Sequence, residues 1–265
     1  MIGIFDSGLG GLTALKEMKR LLPNEGIVYF GDTGRVPYGA KSKSTIIKYA
    51  NQDVEFLLSK GVDIILVACG TVSTNAPLDE ISKKAKVPVI GVVEPAAEAA
   101  VRATKNKIVG VIGTSATIKS GAFPKRIASL DPSVTVVTNS CPLLVPLVEN
   151  GYTSEDSEIT RLACMEYLEP IRQSGSDTLI LGCTHYPIIS KIIGLLLPGV
   201  TLINTGAEAA FAVASILKGQ DRPVDPNASV SYYVSDDPES FDASASLFLG
   251  EPLSGGASLV SVDSF

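Results

Sequence analysis

The chain has 265 residues, 45% hydrophobic and 19% charged, with a formal net charge of −6 at pH 7, the balance of a globular protein long enough to bury a core without disulfide or metal staples. That acidic balance argues against nucleic acid or an anionic membrane as the main partner, and no apolar run approaches the ~20 residues of a membrane span. The opening MIGIF lacks the basic region and cleavage site of a secretory leader, and the four cysteines include no C-x-x-C pair, so a cytoplasmic chain with reduced thiols is expected.

Short β-branched runs alternate with amphipathic stretches. Strands are predicted at residues 2–5, 27–30, 64–68, 89–92, 108–112, 134–137, 178–181 and 201–203. Helices are predicted between them, for example over 44–59, where Ile46, Ile47, Ala50, Val54, Leu57 and Leu58 recur at helical spacing. Lys83, Lys84 and Lys86 read as the solvated end of one such helix. From Asp221 the tail reads as a loop, a strand at 231–234, a helix at 239–249 and a last strand at 258–262. The alternation predicts an α/β fold with parallel sheets, whose ligands sit beyond the C-terminal ends of the strands.

The segment KGVDIILVAC, ending at Cys69, has a counterpart in SGSDTLILGC, ending at Cys183. Gly61, Asp63 and Cys69 map onto Gly175, Asp177 and Cys183 at one offset, 183 − 69 = 114. A weaker echo pairs IGIFDS at 2–7 with VGVIGT at 109–114, and another pairs Glu98-Ala-Ala with Glu208-Ala-Ala. A period this long predicts two pseudo-symmetric parallel-sheet α/β domains, residues 1–93 plus 206–265 and residues 94–205, with the active site in the cleft between them. The tail has no counterpart in the repeat and is expected to add an edge to the first domain.

Facing halves would bring Cys69 and Cys183 to one cleft from opposite sides. A lone free cysteine is usually a small buried hydrophobe; two at equivalent strand ends, each followed by threonine within two residues, point to function. The turns ACGT and GCTHYP lead from strand towards helix, with Pro77 and Pro187 suited to the early turns of the helices that follow. Backbone N–H groups at such a positive end can seat a carboxylate and favour thiolate over thiol, lowering a cysteine pKa. His185, the only histidine, stands two residues from Cys183 as an acid/base candidate. The glycine-rich FDSGLGGLT fits neither G-x-G-x-x-G nor the Walker pattern; its Asp6 and Ser7 can hold an ammonium group or a thiol's partner. Pro37, Tyr38 and Gly39 can offer backbone N–H groups and a phenol to a distal carboxylate.

FDSGLGGLT, DTGRVPYGAKS, VACGT, VVEPA, PLVENG and LGCTHYP, with YYVSDDPESF near the end, together resemble the glutamate racemases of the aspartate/glutamate racemase superfamily, from Ile2 to about Val262. The resemblance implies a cofactor-independent, metal-free racemase in which Cys69 deprotonates D-glutamate and Cys183 L-glutamate. Asp6 and His185 would assist the two thiols, with Glu149 a further carboxylate on the second side. Ser7, Pro37, Tyr38, Gly39, Gly70, Thr71 and Thr184 match substrate-binding positions. It also implies D-glutamate supply for peptidoglycan and a possible homodimer. Gly70 departs from the family, which usually has asparagine there; Asn75 or water can stand in for the missing amide.

Two bases suit this chemistry, because the α-proton leaves one face and a proton returns to the other, with one sulfur as thiolate while the other is thiol. Three alternatives stay open on sequence: a related racemase or isomerase acting on aspartate, a hydantoin or maleate; a two-lobed ligand-binding protein; and a thiol redox protein.

Overall fold

Runs such as IGIFD and IILV are apolar at nearly every position, the mark of strands covered on both faces. In the computed structural model, which describes residues 1–218, 220 and 228–262, they form parallel sheets. The strands are β1 Ile2–Asp6, β2 Ile27–Gly31, β3 Ile64–Val67, β4 Val89–Gly91, β5 Ile108–Gly113, β6 Thr135–Ser140, β7 Thr178–Leu181, β8 Thr201–Asn204, β9 Val230–Val234 and β10 Ala257–Leu259. The helices are α1 Leu12–Leu21, α2 Lys43–Ser59, α3 Gly70–Asn75, α4 Leu78–Ala85, α5 Val93–Ala103, α6 Ser115–Ser120, α7 Ala122–Leu130, α8 Leu144–Glu149, α9 Glu158–Ser174, α10 Ser190–Leu196, α11 Thr205–Lys218 and α12 Pro238–Leu249.

One sheet runs β10-β9-β2-β1-β3-β4 and the other β6-β5-β7-β8, and every pairing in both is parallel. The order β2-β1-β3-β4 repeats as β6-β5-β7-β8, so the sequence echoes correspond to equivalent strands. The tail supplies β9 and β10 at the free edge of β2, the edge position expected of it. Each sheet with its helices is an α/β domain, here called the first and second lobe.

Boundaries shift modestly. β6 runs on to Ser140 and β10 ends at Leu259 rather than at Val262. The loop expected from Asp221 falls on 221–227, outside the described residues. The lysine cluster closes α4, where Lys84 pairs with Glu55 at 2.9 Å and Lys86 forms a left-handed cap.

Small residues bring the lobes together. Ala96, Ala97, Ala99 and Ala100 of α5 are buried, as are Ala209, Ala210 and Ala214 of α11. Both helices carry the Glu-Ala-Ala echo, and their short side chains permit close helix approach. Leu12, Leu15 and Met18 of α1 join one continuous core with Ile112, Leu181 and Tyr186 of the second lobe. Burying each such Leu, Ile or Met contributes roughly 1.5–3 kcal/mol.

Candidate active site

The two cysteines stand at the same point of their lobes. Ala68, before Cys69, donates its N–H to Phe5 O on β1 at 2.9 Å, and Gly182, before Cys183, donates to Ile112 O on β5 at 2.7 Å. Beyond that bond each chain leaves its sheet. Cys69 caps α3, while Cys183 leads into a 3-10 turn, Tyr186–Ile189, entered through His185 with proline in its first positions. The strand ends abut: a Cβ on Gly70 would lie 2.6 Å from the Gly182 carbonyl oxygen. Cys69 is 4% exposed and Cys183 6%.

Around Cys69 the surroundings oppose ionisation of the thiol. Its Sγ lies 3.7 Å from Ser7 Oγ. Burial first, then the charge of Asp6, push the thiol up to about 12. This corrects the expectation that a helix start would lower it, since desolvation outweighs the field of a six-residue helix. Asp6, at the end of β1, accepts from Gly8 N at 3.0 Å through Oδ2, while Oδ1 is buried with no partner. Burial raises its pKa, against an opposing pull from His185.

The Cys183 side carries a cation. His185 Nδ1 lies 3.8 Å from Cys183 Sγ and 3.3 Å from Thr184 Oγ1, and Nε2 lies 2.9 Å from Glu149 Oε1 at the end of α8. Burial pulls the imidazole pKa down, but the bonds and charges of Cys183 and Glu149 outweigh it and push it up to about 10. Among the residues singled out in the sequence, Asp6, Ser7, Cys69, Thr184, Cys183, His185 and Glu149 therefore fall into two clusters, one per thiol.

The remaining candidates behave differently. Gly39 faces the second lobe, a Cβ there lying 3.3 Å from Thr114 Cβ, and Pro37 follows a cis peptide bond. The phenol of Tyr38, expected to offer itself to a ligand, is committed elsewhere. It donates to Asp32 and, at 3.2 Å, to Asp53 Oδ2, both fully buried beside Arg35. Burial and those two carboxylates raise its pKa, so it stays a donor inside the first lobe. Asn75 does not replace the missing amide, because its Nδ2 donates to Thr71 O at 2.9 Å within α3. Nor is asparagine simply absent at Gly70: a side chain there meets backbone of the opposite lobe.

Sequence reasoning missed Thr114 and Thr117. Thr71 Oγ1 lies 3.0 Å from Thr114 Oγ1, which donates to Thr117 Oγ1 at 3.0 Å, a hydroxyl chain across the lobes. The signal was present, since the weaker echo sets Thr114 against Ser7. A cavity of about 900 Å³ lies elsewhere, among α4, α5, α7 and α11, with Glu94, Glu98, Arg126 and Phe211 in its wall.

The pattern of the Asp/Glu/Hydantoin racemase family matches residues 19–213. A glutamate racemase of Geobacter metallireducens is 45% identical over 255 residues, covering 95% of this chain and 93% of its own length. The crystal structure of glutamate racemase from Francisella tularensis in complex with D-glutamate superposes with a TM-score of 0.92 at 39% identity, covering 100% of this chain and 98% of that one. The glutamate racemase from Thermus thermophilus, in complex with β-chloro-D-alanine, superposes with a TM-score of 0.88 at 42% identity, covering 100% and 98%. The chain belongs to the Asp/Glu/Hydantoin racemase family, as an amino-acid racemase that groups with the glutamate racemases.

Proposed function

We propose that this chain interconverts L- and D-glutamate by a two-base proton transfer between Cys69 and Cys183, supplying D-glutamate for peptidoglycan. The lobes are taken as residues 1–93 plus 206–265 and residues 94–205. The observation that carries the reading is the pairing of two buried thiols at equivalent strand ends, one beside the buried carboxyl of Asp6 and the other beside a cationic imidazole.

From L-glutamate, Cys183 as thiolate takes the α-proton while the His185 imidazolium balances its charge, and the Cys69 thiol delivers its own proton to the opposite face. From D-glutamate the roles reverse, and Cys69 must first be a thiolate. The unpartnered Oδ1 of Asp6 suits the substrate ammonium, whose positive charge would lower the pKa of Cys69 beside it. Backbone N–H groups at Gly70 and Thr71 and the Thr184 hydroxyl suit the α-carboxylate, and the backbone at Gly39 the distal one. A carbanion made without an electron sink needs such donors and the exclusion of water. The near-complete burial of both thiols implies that the lobes part to admit substrate and close again over it.

Incubation of L-glutamate in D₂O tests the reading: optical inversion is expected together with deuterium at the α-carbon. Binding without exchange would leave a ligand-binding protein instead.

A further inference from the structure

The His185 ring, although carried by the second lobe, is held on two sides by the first. A Cβ on Gly10 would lie 2.7 Å from both Nδ1 and Cε1 of the ring and would collide with Thr184 Oγ1. The backbone of the glycine loop therefore lies close against the imidazole. Phe248, 3% exposed near the end of α12, meets the ring edge-on, with centroids 5.3 Å apart and planes at 90°. A third contact fixes the backbone under the ring, where Thr13 Oγ1, at the start of α1, lies 3.0 Å from Thr184 O and 2.8 Å from Gly10 O. That hydroxyl is 171 positions from Thr184 and bridges the lobes.

We infer that Thr13 and Phe248 are positioning residues: from the first lobe they clamp the Thr184–His185 turn, so that His185 is aligned between Cys183 and Glu149 only when the lobes are closed. The inference rests on the proposed roles of Cys183 and His185, which it deepens. With one proton on Thr13 Oγ1 and two carbonyls in range, the hydroxyl serves Gly10 when the lobes part and can swing to Thr184 when they meet. The edge of Phe248 gives the imidazole a preferred tilt, and Gly10 leaves no room for another. Both thiols depend on closure for exclusion of water, but among the described residues it is the acid/base partner of Cys183 that is packed against side chains of the opposite lobe. Loosening the clamp is therefore expected to affect proton removal from the L-face first, since a misplacement of about 1 Å costs up to ~100-fold.

Because the chain has a single histidine, the imidazole signals in a ¹⁵N- and ¹³C-resolved NMR spectrum of the intact protein belong to His185 alone. Thr13→Val and Phe248→Leu are each expected to shift those signals relative to the native chain, and Thr13→Ser to restore them. Phe241→Leu, on the same helix but packed on Tyr29 at 6.1 Å, is the control that weakens α12 and leaves the signals in place. In kinetics, elimination of chloride from β-chloro-L-alanine is expected to slow roughly tenfold in the two clamp variants, against less than about threefold for the D-enantiomer. Unmoved imidazole signals in folded Thr13→Val would overturn the clamp, whether or not Phe248→Leu folds. Equal slowing of both enantiomers would do the same. If the native chain processes neither enantiomer, the functional reading fails while the NMR comparison still decides the clamp.

Discussion

Glu149→Gln isolates the charge that holds His185 in its cationic form. The imidazole of an unfolded chain titrates near ~6.5, whereas in the fold it is pushed up to about 10. A group whose folded pKa lies above its unfolded value contributes stability that is complete below ~6.5 and disappears as pH climbs towards 10. Glu149 supplies part of this through its 2.9 Å bond to Nε2, from a side chain 42% exposed to solvent. A hydrogen bond to a charged group contributes roughly 1.5–3 kcal/mol, and solvent screening at such exposure puts this one at or below the lower end, about 1–1.5 kcal/mol. At ~1.4 kcal/mol per pKa unit, the variant should titrate its imidazole about one unit lower. NMR titration of the sole histidine reads that midpoint directly. Chemical denaturation should show the variant less stable by about 1–1.5 kcal/mol near pH 6, with the gap closing above pH 10. An unchanged imidazole midpoint, or a gap of the same size at every pH, would refute the role given to Glu149.

Other expectations concern the thiols and the abutting strand ends. Cys69→Ser and Cys183→Ser should each abolish racemisation. Cys69→Ser should still eliminate chloride from the L-enantiomer of β-chloroalanine, and Cys183→Ser from the D-enantiomer; near-native racemisation by either variant would remove that sulfur as a base. Gly70→Asn, which restores the usual family residue, should lower the melting temperature and raise KM rather than improve binding. Its Cβ wedges against the Gly182 carbonyl, and overpacking of this kind costs roughly 1–3 kcal/mol; tighter glutamate binding at native stability would contradict this. Iodoacetamide should alkylate Cys183 in the free protein ahead of Cys69, as read by peptide mapping.

The repeat made the fold legible. A strand that must be buried on both faces has little freedom in sequence, so KGVDIILVAC and SGSDTLILGC kept their likeness and placed both cysteines at equivalent strand ends. His185 and Asp6 were legible because each stands close in sequence to a strand end. The direction of the Cys69 pKa was not, because sequence exposes the helix start but not the depth of burial. Tyr38 misled for a related reason: a phenol in a loop looks available until the fold brings Asp53, from α2, beside Asp32 and Arg35. Thr13 and Phe248 carry no local mark at all. Their partners, Thr184 and His185, come from the other lobe, and only the packing of α1 and α12 against that turn brings them near.

The expected order of alkylation follows from how the empty site distributes its protons. Cys69 and Cys183 are buried to nearly the same degree, so access alone does not separate them. On the first side, burial raises both Asp6 and Cys69, and the charge of Asp6 further opposes ionisation of Cys69. On the second, an imidazolium backed by Glu149 lies 3.8 Å from the sulfur. A thiolate, the reactive form, is therefore penalised at Cys69 and faces a cation at Cys183, and in the proposed mechanism the resting protein takes its proton from L-glutamate. This bias cannot favour one product, because the enantiomers have equal free energy. It must appear instead in kcat and KM separately, with their ratio equal in the two directions. In the proposed mechanism each turnover from L to D leaves Cys183 protonated and Cys69 ionised, an arrangement that burial and Asp6 penalise, and it must reset before L-glutamate can react again. Alkylation of both thiols at one rate would mean that the two arrangements are equally populated, and the asymmetry drawn from Asp6 and His185 would fall.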